Sequence, residues 1–152
     1  MARLRFTING AVYNAVLRDD LSTPQITAGV FPSRESAGSQ SNCARNMSGD
    51  TPPLTERIAA MCPFELDFTR GGDHEYYTAL PQKTTAEGGC PPTSIGKRNA
   101  LYYFEGWNAL SIVIKDCDTA PYKIHHIGDF KEDISAVLKN SGGKVRILCE
   151  AV

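Results

Sequence analysis

The sequence predicts a mainly β protein: a closed barrel of about eight short strands with two short capping helices. Three observations predict it. Apolar and polar residues alternate in many short runs, as in Leu4, Phe6 and Ile8 against Arg5 and Thr7. Turn residues separate these runs, and only two stretches carry a helical period. An alternating strand sends successive side chains to opposite faces, and many short strands avoid exposed edges by closing into a barrel. At 152 residues the chain fits one domain with one full core.

The elements follow in order. RLRFTI, Asn9-Gly10 and AVYNAVL form the first hairpin, because both residues of such a turn need positive φ. Residues 22–53 are rich in Ser, Gly, Pro, Asn and Thr and read as a long loop. A short helix follows, with Thr55 as its N-cap, Ile58, Ala59 and Met61 inside, and Pro63 at its end. PFELDF is a strand, Gly71-Gly72 a turn, and EYYTAL (75–80) the returning strand. Residues 82–99 read as a second polar loop. ALYYF and NALSIVIK are strands joined by Glu105-Gly106-Trp107, and YKIHHIG is another. Asp129 and Glu132 have capping-box spacing ahead of a helix carrying Ile134, Val137 and Leu138 on one face. Gly142-Gly143 stops that helix. KVRILCE closes the chain with Val145, Ile147 and Cys149 on one side.

The totals narrow the function. A formal charge of −1 with scattered Lys and Arg leaves no electrostatic footprint for nucleic acid or an anionic membrane. The partner expected is a small-molecule ligand, with no nucleic acid and no membrane involved. MARLRFTING lacks the apolar run of a signal peptide. Five widely spaced cysteines without a CxxC pair fit thiols in a cytoplasmic protein, with a Cys43–Cys90 bridge as the alternative. No cofactor and no metal site are expected.

RFTING with AVL, EYYTALP, LYYFEGWNALSIVIK and TAPYKIHHIG, followed by a helix and KVRIL, together resemble the prokaryotic cyclophilin-like domain family. The resemblance covers residues 3–20 and 58–150 and implies a single small closed barrel over 1–152, with a loop insertion at about 22–54. It does not carry prolyl isomerase activity with it. True cyclophilins place an arginine on the strand that here offers Tyr76, Tyr77 and Thr78. Without a donor over the prolyl nitrogen the main electrostatic contribution to that reaction is missing. TRGGD (69–73) matches only the tail of the run that builds the proline pocket.

Neighbouring strand residues point oppositely, so His125 and His126 cannot share one cavity. The register implied by the resemblance sends Ile127 and His125 inward and His126 outward. His125 is either a hydrogen-bonded lining residue or the proton donor and acceptor of a site. By the same rule only one of Tyr76 and Tyr77, and one of Tyr102 and Tyr103, lines the lumen. The site expected is a cleft at the barrel rim. His125 and Asp73 would be its acid–base groups, and Tyr76, Tyr122, Trp107, Arg70 and Asp116 would hold the substrate. Asp73, His74 and Glu75 form either a solvated turn or an acid–base patch. Asp116 and Asp118 border the binding cleft by resemblance. The reading is a protein that binds a small organic molecule, with an acid–base rearrangement or cyclisation as the chemistry open to it, by a cofactor-independent isomerase, cyclase or lyase. The alternatives are a non-catalytic interaction module using the 22–54 loop, and peptide binding of the prolyl-isomerase kind. A Cys43-Ala44 nucleophile turn is disfavoured because Gly49 to Pro53 leaves no room for a helix.

Overall fold

The computed structural model describes residues 3–18 and 52–152. Its strands are β1 (Arg3–Ile8), β2 (Ala11–Leu17), β3 (Phe64–Gly71), β4 (Glu75–Ala79), β5 (Ile95–Gly96), β6 (Ala100–Phe104), β7 (Ala109–Val113), β8 (Cys117–Asp118), β9 (His125–Phe130) and β10 (Lys144–Ala151). The helices are α1 (Leu54–Ala60) and α2 (Ile134–Lys139), and Glu105–Trp107 form one 3-10 turn. Eight strands close in the order β1–β10–β3–β4–β7–β6–β9–β2, every pair antiparallel, with β2 returning to β1. Among the described residues the strands β5 and β8 pair only with each other, as a small ribbon outside the barrel.

Alternation fills the lumen. Leu4, Phe6 and Ile8 of β1, Phe68 of β3, Leu110 and Ile112 of β7, and Ile147 and Cys149 of β10 are all buried in one cluster. The first hairpin turns as its sequence requires, Asn9 and Gly10 lying at φ 51° and 84°. Of the two tyrosine pairs, Tyr76 and Tyr103 enter this core and Tyr77 and Tyr102 face outward. The lumen is a packed core, so ligand space must lie elsewhere.

Two caps differ from the sequence reading. Thr55 does not cap α1. The helix begins at Leu54 after Pro53, and the buried Thr55 hydroxyl donates to Arg18 O at 3.2 Å. Asp129 does not open α2 either, because β9 continues through it and pairs Asp129 with Val16 and Ala100. Two neighbouring strands offer that backbone more hydrogen bonds than one helical turn. The cap passes to Asp133, whose carboxylate accepts from Ala136 N at 3.2 Å and Ser135 Oγ at 2.6 Å and pairs with Arg98. Glu132 instead accepts from the backbone and side-chain nitrogens of Asn14 at 2.6 and 3.1 Å, tying α2 to β2.

The Ser135 hydroxyl, followed by Arg98, holds the Asp133 carboxyl below its ordinary value. A lowered carboxyl stabilises the fold above the unfolded-state value and loses that contribution as pH falls through the folded one. Asp133→Asn is therefore expected to lower the urea midpoint near neutrality. The gap from the wild type should narrow below about pH 4, where the unfolded carboxyl also protonates. Parallel urea melts across pH check this, and a pH-independent gap would contradict it.

No described helix is long and apolar enough to cross a membrane. Cys62, Cys117 and Cys149 are free thiols. Burial raises all three, Cys62 to about 11, so they stay protonated and weakly nucleophilic. Cys90 is disulfide-bonded, which departs from the expectation of thiols throughout. Cys43 and the NCARNMS segment lie outside the described residues, as does most of the 22–54 insertion.

Candidate functional site

Part of the outer face of β6 and β7 is apolar as well as the inner face. Ala100 and Val113 face outward and pack with Tyr102 and Ile124 into a second, smaller core, against which Phe104 and Cys117 rest. A strand buried on both faces must be covered from outside. The cover is the chain that leaves β7, forms β8 with β5, and continues to Ile124. Backbone bonds hold it down: Thr93 and Ile124 exchange N–H···O bonds at 2.8 Å, and Thr119 N donates to Ser94 O at 2.6 Å.

Between this cover and the barrel wall lies a cleft of about 330 Å³. Tyr77, Phe104 and Trp107 line it from the wall side and Tyr122 from the cover. Trp107 is 62% exposed and Tyr122 61%, so two large rings stand open to solvent beside the cavity. The rings form a run. Tyr77 and Trp107 have centroids 5.6 Å apart, Trp107 and Phe104 5.2 Å, and Phe104 and Tyr122 5.9 Å. The Asn108 αL conformation at φ 50° ends the 3-10 turn that carries Trp107. Its side chain accepts from Thr84 N at 3.1 Å and donates to Gln82 O at 2.9 Å, pinning the turn to the neighbouring loop.

The polar side of the cleft is short and connected. Glu75 of β4 is opposite Val113 and two residues from Tyr77, so it projects outward with it. Its Oε1 accepts from the Ser111 hydroxyl at 2.5 Å, and its Oε2 lies 3.3 Å from His74 Nε2. Asp118 and Thr119 line the opposite side. Asp118 Oδ1 accepts from Ala120 N at 3.0 Å, which shapes the turn before Tyr122. The carboxylate of Glu75 thus bridges a hydroxyl and an imidazole beside an apolar cavity.

The residues singled out in the sequence divide. Trp107 and Tyr122 line the cleft. His125 does not. It sits opposite Tyr103 on the inner side, 9% exposed, with Nδ1 2.6 Å from Cys90 O. His126 faces outward, beside Tyr102 and 3.1 Å from Asp129 Oδ1. Tyr76 is fully buried, and its hydroxyl donates to Gly142 O and accepts from Arg70 at 3.1 Å. Arg70 also donates to Lys139 O and Gly72 O, so it closes one end of the barrel away from the cleft. Asp73 is exposed and paired with Lys115 at 2.9 Å, a bond that lowers its carboxyl. Asp116 accepts from Arg98 N at 2.7 Å and is outside the lining. Tyr77, Phe104 and Ser111 were not singled out as site residues. A signal was present for Phe104 and Ser111, since ALYYF and ALSIV are apolar at nearly every position rather than alternately, and none for Tyr77 beyond the two-residue period of EYYTA.

Among the described residues no three His, Cys, Asp or Glu side chains gather in a way that would hold a metal ion. The fold is similar to the solution structure of a hypothetical protein from Archaeoglobus fulgidus, with a TM-score of 0.61 and 15% identity over 98% of this chain and 93% of that one. At that identity the likeness speaks for the fold alone. No curated protein sequence matches. The sequence profile of the cyclophilin-like family matches residues 47–150, more than half the chain, and begins after the first hairpin. Eight antiparallel strands closed around a packed lumen agree with that match, and the chain belongs to the cyclophilin-like family.

Proposed function

We propose that the protein binds a small organic molecule in the cleft on the outer wall of the barrel, with Glu75 as the group that takes and returns a proton. The observation that supports this most is the cleft's make-up: about 330 Å³, four aromatic rings, and one short polar line from Ser111 through Glu75 to His74. Ligand sites are typically apolar cavities with a few convergent polar groups. The acid–base role moves, in this reading, from His125 and Asp73 to Glu75 and His74, the other two members of the patch that the sequence offered as an alternative. Ser111, hydrogen-bonded to Glu75, would orient the carboxylate. Prolyl isomerisation is not part of the reading, because no arginine lines the cleft among the described residues. The interaction-module alternative rests on the 22–54 loop, most of which lies outside the described residues.

A thermal-shift screen over several chemical classes tests the reading, run in parallel on the wild type, Trp107→Ala and Tyr122→Ala. Both side chains are largely exposed, so their removal should leave the barrel folded. A ligand at about one hundred times its Kd adds about 2.7 kcal/mol to the folded state, a shift of several degrees. The expected result is a compound that raises the wild-type Tm and fails to raise that of either variant. A hit that shifts all three proteins equally would place its site elsewhere, and a screen with no hit would remove the reading's support.

A further inference from the structure

We infer that the ligand of this cleft is an organic cation, a quaternary ammonium or protonated amine carried on an apolar body; this rests on the cleft being a ligand site. Two independent features of the lining point the same way. The first is the aromatic wall. Consecutive rings along Tyr77, Trp107, Phe104 and Tyr122 stand at 43°, 73° and 79° to one another, so they turn like the sides of a box and do not stack. Rings that do not stack on one another keep π-faces free for a ligand, and such a face attracts a cation within about 6 Å of the ring centroid.

The second is charge. Among the described residues the lining carries two carboxylates, Glu75 and Asp118, and no Lys or Arg. The nearby Lys115 is turned to Asp73, 2.9 Å away and outside the lining. His74 is the one lining residue that can become positive, and it already sits against Glu75 at 3.3 Å. An anionic ligand would meet two like charges and four ring faces. A neutral apolar ligand would use the rings and make no use of the carboxylates. A cation uses both. The ammonium group sits between the rings and the two carboxylates, while its apolar body lies along Ala109 and Ile124.

Trp107 is the chain's single tryptophan, so its fluorescence reports this cleft directly. The test titrates the full-length protein with three probes of similar size: benzyltrimethylammonium, its neutral isostere neopentylbenzene, and benzoate. The expected result is saturable quenching by the ammonium at a Kd about ten-fold below that of the neutral isostere, with benzoate weaker than both. Glu75→Gln should reduce that preference to about three-fold or less, and Asp118→Asn serves the same purpose should the first variant fail to fold. Equal or tighter binding of the neutral isostere or of benzoate would overturn the inference and leave the organic-ligand reading standing. A preference that persists unchanged in the folded acid variant would also overturn it. Absence of saturable quenching by all three probes would remove the cleft reading along with it.

Discussion

Phe6→Ala is expected to lower the unfolding free energy by about 3–5 kcal/mol, the range for deleting a buried aromatic from a close-packed core. Phe6 is completely buried at the centre of the filled lumen and meets the Phe130 ring edge-on at 5.0 Å. The deletion removes the transfer free energy of the ring and leaves a cavity that the hydrogen-bonded strands around it cannot collapse to fill. Its backbone partners, Cys149 on β10 and Tyr13 on β2, lie on the two strands adjoining β1, so the void opens beside the seam where β1 joins β10. Guanidinium unfolding measures the loss. Val12→Ala on the exposed side of β2 is the control and should change stability by less than about 0.5 kcal/mol. A Phe6→Ala midpoint close to that control would mean that the lumen is not packed as described.

Gly128→Ala is expected to cost about 1–3 kcal/mol by crowding the other seam. An added Cβ would stand 2.8 Å from Val16 O and 3.2 Å from Leu17 Cα, and both of these neighbours are backbone atoms. Gly128 pairs with Leu17 on one side and Leu101 on the other, just after a register shift that begins at His126. The barrel closes through this residue, and only a glycine lets β2 come so near. Hydrogen exchange should therefore quicken locally, above all at Arg18 N, which donates to Ile127 O at 2.9 Å across the seam. Wild-type stability and unchanged protection at Arg18 would show that β2 can retreat without loss.

Much of the architecture is legible in the chain because alternation is a local property. The hairpin at Asn9-Gly10, the inward set of β10 and the splitting of each tyrosine pair all follow from a two-residue period and a turn that needs positive φ. The site is less legible, and for definite reasons. The choice between Tyr76 and Tyr77 depends on which face of β4 turns to the lumen, and that is a matter of its pairing with β7. Asp129 has the spacing of a helix cap, yet its backbone is claimed by strands 113 and 29 residues earlier, Val16 and Ala100. His125 shares the inner side with Tyr103, as its register implied, and is then covered by Cys90 O from a loop whose own sequence has no strand period.

By itself the sequence determined a barrel of short strands, the rule that neighbouring residues of each strand face opposite ways, and the absence of an arginine where a prolyl isomerase needs one. Tertiary structure alone decided that the lumen is solid and that an aromatic cleft lies on the outer wall. It brought Glu75, Ser111, Trp107 and Tyr122 together from four separate segments. The physical reason is range: side-chain direction repeats every two residues, whereas the cleft forms only where the chain from β8 to Ile124 folds back over a wall that pairing with β4, some forty residues earlier, completes.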